Sequence, residues 1–230
     1  MSDVHDHHHH HHDHHDFASA NQAFFDKHAH QADHRPQAKE MAASVCKAVL
    51  EAYPFDKEAT VVLDYACGTG IVARSIAPHC KTLIGVDISQ GMVDEFNTGV
   101  QDHGIPVEKM RAVRVELKGE ETELEGIKFD VVMCSLAYHH IEDILAVTRL
   151  LTFFLKPGGT LIVVDYPEMD ATAVPKEALP MIAHKSGISE AGIKAAYDGA
   201  GLGNFQQVLF KGPKSGMHPE DIFLAKGVKL

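Results

Sequence analysis

Residues 60–73 combine a strand, a carboxylate and a glycine turn in the sequence TVVLDYACGTGIVA. Residues 61–63 are a short apolar run of the kind that forms a buried parallel strand, and Asp64 closes it. Gly68 and Gly70 predict a tight turn, because glycine adopts backbone angles that other residues resist and lets a ligand approach the main chain. The following residues, IVARSIA, predict a helix. This strand–turn–helix unit favours an α/β fold with a ligand at the turn.

The charge beside this turn separates two kinds of ligand. Gly68, Gly70 and Ala73 have the spacing of the dinucleotide fingerprint. A dinucleotide pyrophosphate binds bare backbone N–H groups, however, and the carboxylate of Asp64 would repel it. S-adenosylmethionine has no phosphate and carries an ammonium and a sulfonium group, so an acid before the turn suits it. A nicotinamide-dependent oxidoreductase remains an alternative that Asp64 disfavours.

Two motifs resemble those of a known family. The sequence LDYACGTG resembles the first motif of the class I S-adenosylmethionine-dependent methyltransferases, and DISQGM, at the end of a predicted strand over 82–87, resembles the second. Asp87 ends that strand, and an acid there can accept hydrogen bonds from both ribose hydroxyls. Ser89 is a predicted helix N-cap. The resemblance implies that Asp87 binds the ribose and that Ile88 and Met92 contact the adenine.

Two further predicted strands end at the same ligand. Residues 110–117 predict a third strand, in which Glu116 stands where the family usually has Asp before the adenine pocket. Residues 129–141 predict a fourth strand and its loop, which emerge at the edge where open α/β sheets bind ligands. The resemblance therefore implies a cofactor site formed by Asp64, Ala66, Cys67, Gly68, Thr69, Gly70, Asp87, Ile88, Met92, Glu116, Leu117, Cys134 and Ser135.

The fourth strand leads into two adjacent histidines, His139 and His140, in the sequence FDVVMCSLAYHHI. This stretch resembles the fourth motif of the same family. A histidine beside the methyl acceptor can take its proton, because the imidazole pKa lies near neutrality. The alternative is that one of the two only orders the loop. We predict that His139 and His140 are catalytic, and the predicted substrate contacts are His28, His139, Tyr166 and His184.

The N-terminal part of the chain predicts a tail followed by a helical cap. Nine of the first fifteen residues are His, and this low-complexity stretch predicts a disordered tail over 1–16 without a specific metal site. Residues 17–55 predict a helical cap over the cofactor. Within it, FFDKHAHQADHRP resembles the segment that precedes the core of small-molecule methyltransferases, and the residues that fit the pattern are Phe25, Asp26, Ala29 and Asp33.

The chain from 17 to 230 predicts one α/β domain. The sequence LKPGGTLIVVD predicts a turn and a fifth buried strand. Residues 205–211 and 221–227 predict a closing antiparallel hairpin. The resemblance implies a Rossmann-like, mostly parallel sheet of seven strands with helices on both faces and the strand order 3-2-1-4-5-7-6.

Composition narrows the partners and the compartment. The net charge of −11 argues against a nucleic-acid substrate, because proteins that bind nucleic acids usually present a basic face. No apolar run approaches the roughly 18 to 20 residues needed to cross a bilayer, and the N-terminus has no apolar signal segment. The four cysteines lack CxxC spacing and are expected to be reduced thiols. We therefore expect a cytoplasmic monomer or homodimer that binds neither nucleic acid nor membrane.

These features predict methyl transfer from S-adenosylmethionine to an N, O or S atom of a small molecule. Because the sulfonium already activates the methyl group, the protein needs mainly in-line positioning and exclusion of water. The sequence CSLA over 134–137 stands where amide and some amine methyltransferases have an NPPY-type tetrapeptide, which favours small molecules over proteins. A protein methyltransferase and a non-catalytic regulatory module that binds the cofactor remain alternatives.

Overall fold

The computed structural model describes residues 16–35, 37–170, 172, 178–214 and 220–230. Apart from Asp16, the predicted N-terminal tail lies outside the described residues. From residue 17 onward the chain begins with helices and then alternates between strands and helices, as the sequence pattern predicts.

Seven strands form a single sheet. In chain order they are β1 Val61–Tyr65, β2 Thr82–Asp87, β3 Met110–Arg114, β4 Phe129–Ser135, β5 Leu155–Asp165, β6 Leu202–Lys211 and β7 Asp221–Lys229. Their order in the sheet is β3-β2-β1-β4-β5-β7-β6. The first five strands pair in parallel, and β7 runs antiparallel to both β5 and β6. The predicted order and the closing hairpin are confirmed.

Helices flank the sheet. Within the described residues the α-helices are α1 Phe17–His28, α2 Ala38–Ala52, α3 Ile71–Ile76, α4 Gln90–Asp102, α5 Ile144–Phe154 and α6 Glu190–Gly199. Ser89, Asp143 and Ser189 cap α4, α5 and α6, since each side chain accepts a hydrogen bond from a backbone N–H three residues later. The predicted cap at Ser89 is confirmed. Short 3-10 helices span Ala29–His34, Tyr138–His140 and Leu179–Met181.

The core consists of two apolar clusters, one on each face of the sheet. Successive side chains of a strand point to opposite faces. Accordingly, Val131 of β4 belongs to the first cluster, which includes residues of α2 and α4, and Val132 belongs to the second, which includes residues of α5 and α6. Both faces are therefore covered, as a parallel sheet requires. This arrangement leaves the carboxyl edge of the parallel strands as the place where loops can form a site.

Two strand ends at the carboxyl edge of the sheet differ from the prediction. β1 continues through Asp64 to Tyr65, so Asp64 lies inside a strand, paired on both sides and buried. β3 ends at Arg114, which pairs with the last residue of β2, so Glu116 and Leu117 lie in the loop beyond it. The alternating pattern of the sequence continues past Arg114, but β3 ends there because its partner strand, β2, ends at Asp87. The sequence pattern alone does not show where the partner strand ends.

The lengths and the hydropathy of the helices show whether any of them could cross a membrane. Among the helices in the described part of the chain, none combines the length and the hydropathy that crossing a bilayer requires.

Candidate functional site

The loop after β1 uses its two glycines in different ways. Gly68 and Gly70 both have positive φ, of +52° and +75°. A Cβ at Gly70 would lie 2.4 Å from the ring of Phe96 in α4, so this glycine allows the loop to pack closely on the core. A Cβ at Gly68 would meet no atom within 4 Å. Gly68 therefore presents bare backbone to open space, where a ligand can approach it.

A cavity of about 1310 Å³ lies at the carboxyl edge of the sheet, between the loops that follow β1 to β4 and the helix α1. Most of the predicted cofactor residues line it. They are Asp64, Ala66, Cys67, Gly68, Thr69, Asp87, Ile88, Met92, Glu116, Leu117 and Ser135. Of the predicted catalytic and substrate residues, His140 lines it. The structure therefore brings residues from four strand ends together around one space.

Two carboxylates form the floor of this cavity, of which Asp64 is buried and Asp87 is partly buried. Asp64 is 3% exposed, and its burial, together with the charge of Asp87, raises the pKa of its carboxyl well above the usual range. Asp87 accepts hydrogen bonds from the backbone N–H of Gly68 at 2.9 Å and of Ser89 at 2.9 Å. Burial also raises the pKa of Asp87, although these bonds oppose the shift. A cationic ligand group would offset the cost of burying the Asp64 charge.

Asp87 therefore has a structural task that the sequence did not indicate. Its two carboxylate oxygens join the loop after β1 to the loop after β2. This connection fixes the distance between the glycine loop and the start of α4.

His139 pairs with a buried acid, Asp165, at the end of β5. Nδ1 of His139 lies 2.7 Å from Oδ1 of Asp165, and the backbone N–H of His139 donates to Oδ2 at 3.0 Å. Because a carboxylate accepts here, Nδ1 of His139 carries the hydrogen. Asp165 is fully buried. Sequence reasoning missed Asp165, although an acid that ends a buried strand was the signal already used for Asp87.

His140 faces the cavity beside His139. Its Nδ1 donates a hydrogen bond to the carbonyl of Met181 at 2.7 Å, and its ring lies against that of His139 with 4.1 Å between centroids. Burial, assisted by the neighbouring His139, lowers the pKa of His140 to about 4. His140 is therefore neutral near pH 7, and its Nε2 is a hydrogen-bond acceptor. The 3-10 turn Tyr138–His140 thus gives the two histidines different surroundings.

The remaining predicted residues do not line the cavity. Cys134 has no exposed surface and lies in the second core cluster, where alternation along β4 places its side chain. Gly70 lies behind the loop, against α4. Nδ1 of His28 bonds the carbonyl of Phe24 within its own helix, and Nε2 of His184 bonds that of Ile141. Tyr166, also away from the cavity, packs edge-on against His139 with 5.4 Å between ring centroids.

Two acids tie the N-terminal helices to the rest of the domain, Asp26 to the start of α4 and Asp33 to the glycine loop and α3. Asp26 of α1 accepts hydrogen bonds from Oγ of Ser89 at 2.6 Å and from the backbone N–H of Gly91 at 3.0 Å. Asp33 accepts from the hydroxyl of Thr69 and pairs with Nη2 of Arg74 at 2.8 Å. Both acids were noted in the sequence only as positions of a pattern. In the structure they hold one wall of the cavity in place.

Comparison with known proteins agrees with this geometry. Residues 62–159 match a family described as a methyltransferase domain. An uncharacterized methyltransferase of Schizosaccharomyces pombe is 36% identical over 160 residues, which cover 66% of this chain and 56% of that protein. These matches support a class I S-adenosylmethionine-dependent methyltransferase. The chain spans about half the length of the curated relatives that it matches.

Solved structures of methyltransferases share the fold. Phosphoethanolamine N-methyltransferase 2 of Haemonchus contortus, in complex with S-adenosylmethionine, superposes with a TM-score of 0.70 at 15% identity, over 93% of this chain and 60% of that one. Magnesium protoporphyrin IX methyltransferase of Synechocystis, with bound S-adenosylhomocysteine, gives 0.68 at 18% identity, over 92% and 99%. At these identities the likeness concerns the fold alone.

The floor of the cavity fits the cofactor of this family, S-adenosylmethionine. The buried Asp64 carboxylate suits a cationic group, and Gly68 leaves space for a ligand against the backbone. Asp87 lies at the end of β2, where Rossmann-like sites bind ribose hydroxyls. Ile88 and Met92 add apolar surface beside it.

Proposed function

We propose that this protein transfers a methyl group from S-adenosylmethionine to a nucleophilic N, O or S atom of a small molecule. One observation carries the proposal: a buried acid, Asp64, lies beside the open backbone of Gly68 at the carboxyl edge of the sheet. When bound, the cofactor supplies a methyl group that its sulfonium activates.

The residues around the cofactor take separate roles in this proposal. Asp64 binds the cationic amino-acid end. Asp87 binds the ribose and at the same time keeps the glycine loop in place. The adenine side is formed by Ile88, Met92, Glu116 and Leu117.

The other residues of the cavity act on the acceptor. We assign His140 to the acceptor, because it lines the cavity and its Nε2 accepts hydrogen bonds. His139 does not line the cavity. Its ring, held by Asp165, packs against the ring of His140 and positions it. The wall formed by α1 excludes water and restricts the acceptor to one approach, which is the main contribution needed when the methyl group is already activated.

The helices on two sides of the cavity favour a small acceptor over a protein chain. Residues of α1 close one side of the cavity, and the first turn of α5 closes another. The phosphoethanolamine and magnesium protoporphyrin enzymes with the same fold are also named for small acceptors.

The test is a transfer assay with S-adenosylmethionine that carries a labelled methyl group, offered to a cell extract divided into small molecules and proteins. We expect label in the small-molecule fraction with the wild type and about 100-fold less with Asp87→Ala. Asp102→Ala, an exposed acid at the end of α4, serves as the matched control. Label in the protein fraction alone would contradict a small-molecule acceptor. Cofactor binding without transfer to either fraction would contradict an enzymatic role.

A further inference from the structure

One backbone carbonyl holds two side chains of the cavity in fixed orientations. The carbonyl of Met181 accepts a hydrogen bond from Nδ2 of Asn21 at 3.0 Å and from Nδ1 of His140 at 2.7 Å. Nδ2 of Asn21 also donates to the carbonyl of Phe17 at 2.7 Å. Because carbonyl oxygens only accept, these bonds fix which atom of each side chain carries hydrogen. Oδ1 of Asn21 and Nε2 of His140 are left as acceptors.

Two polar atoms at this end of the cavity are buried without a partner. Asn21 is 6% exposed, lines the cavity, and its Oδ1 makes no hydrogen bond. Oγ of Ser135, at the end of β4, is also buried, unpaired and part of a residue that lines the cavity. Buried polar groups in proteins nearly always have partners, so an unpaired pair at one site points to a ligand that completes it.

The charges of the cavity describe the ligand further. Among the described residues, the cationic side chains that line the cavity are Arg114 and Lys118. They are close in sequence, and both lie at the side of the cavity assigned to the adenine. Glu142 and Asp143 line the side near His140. Among the described lining residues, the two cations lie at and just after the end of β3, at the edge of the sheet away from β4 and His140, whereas a group with several N–H donors would find acceptors at Asn21 and His140.

We infer that Asn21, Ser135 and His140 form the methyl-acceptor subsite and that this subsite takes a primary amine. The inference rests on the proposed methyl transfer and narrows its substrate class. Two fixed acceptors match the two N–H donors of an amino group, whereas a hydroxyl has one donor, a thiol is a weak donor and a carboxylate has none. The low pKa of His140 keeps its ring neutral and able to accept near pH 7.

The geometry leaves the lone pair of the amine for the reaction. With its N–H groups directed to Asn21 and His140, the nitrogen forms the new N–C bond with this pair. The bond between the methyl carbon and the sulfur breaks, and its electrons remain on sulfur. The amine reacts as its free base, its ammonium form having first released a proton to water, and the methylated product leaves as an ammonium ion.

The test offers the wild-type protein and labelled S-adenosylmethionine to four matched pools: primary amines and the alcohols, thiols and carboxylic acids with the same carbon skeletons. We expect labelled product in the amine pool. Asn21→Leu and His140→Phe, which keep side-chain volume but remove the acceptor atoms, should each lower kcat/KM for amines at least about 10-fold. The control is His79→Gln, an exposed histidine far from the cavity in the short helix after α3.

Calorimetric binding of S-adenosylhomocysteine is measured on the same samples. We expect Asn21→Leu and His140→Phe to bind it as the wild type does, which separates the acceptor subsite from the cofactor site. Label in another pool, no label in any pool, or unchanged amine kinetics in both variants would overturn the inference while cofactor binding remained intact. If the wild type itself did not bind S-adenosylhomocysteine, the proposed function would be overturned instead.

Discussion

The two ends of the cavity are built in different ways. The cofactor end consists of strand ends and the loops directly after them, and its ties are short: Asp87 bonds the backbone of Ser89 two residues away and that of Gly68 19 residues away. The acceptor end joins segments that are distant in the chain, since Asn21 bonds a carbonyl 160 residues away. The cofactor end is therefore part of the sheet, and the acceptor end depends on how separate segments pack over it.

The largest expected effect separates the packing role of Gly70 from the ligand-facing role of Gly68 within the glycine loop. In Gly70→Ala the new Cβ would collide with Phe96 at positive φ, so we expect a loss of about 3 kcal/mol in the free energy of unfolding. Gly68→Ala has the same backbone strain without a collision, and we expect about 1 kcal/mol. Urea unfolding measures both losses. Equal losses would contradict the separate roles of the two glycines.

The next effect concerns the buried acid behind the histidines. Asp165→Asn replaces an acceptor with a donor opposite Nδ1 of His139, and we expect a loss of about 2 kcal/mol in the free energy of unfolding. We also expect lower kcat with unchanged affinity for S-adenosylhomocysteine. Asp198→Asn, at an exposed position of α6, is the control. Weakened cofactor affinity in Asp165→Asn would show that the two ends are not separable.

A third effect is a pH dependence confined to the cofactor end. Below its raised pKa the carboxyl of Asp64 is neutral and cannot pair with the ammonium of S-adenosylhomocysteine, and above it the group is ionised. We therefore expect affinity to rise with pH by up to about tenfold per unit and then to level off. Asp64→Asn should bind weakly without this rise.

Asp87 also has a raised pKa and belongs in the same titration. Asp87→Asn should weaken binding but leave the rise that Asp64 causes. A flat profile in the wild type would contradict the pairing of Asp64 with the cofactor.

The smallest effect concerns the tie between the N-terminal wall and the glycine loop. Arg74→Met removes the ion pair with Asp33, which is partly exposed, and we expect a loss of about 1 kcal/mol or less in the free energy of unfolding. Because the wall loosens, S-adenosylhomocysteine should dissociate faster in stopped-flow experiments. Lys47→Met, from an exposed pair on α2, should leave the rate unchanged. Equal rates in Arg74→Met and the wild type would show that this tie does not restrain the wall.

The sequence signals at the cofactor end are local. A β-branched run, an acid and glycines at fixed spacing placed Gly68 and Asp87 in one predicted site, and both residues line the cavity. At the proposed acceptor end such signals are lacking, because Asn21 is held by the backbone carbonyl of Met181, and a backbone carbonyl has no side-chain signature in the sequence. For the same reason the sequence did not separate His139 from His140. Their partners, Asp165 and Met181, lie on different segments.

The most direct test of the central claim is calorimetric titration with S-adenosylhomocysteine, comparing the wild type with Asp87→Ala and the Asp102→Ala control, with NADH as a second ligand. The account predicts binding by the wild type and the control, at least about 100-fold weaker binding by Asp87→Ala, and no binding of NADH. Binding of NADH in place of S-adenosylhomocysteine, or an unchanged affinity in Asp87→Ala with its fold intact, would contradict the account.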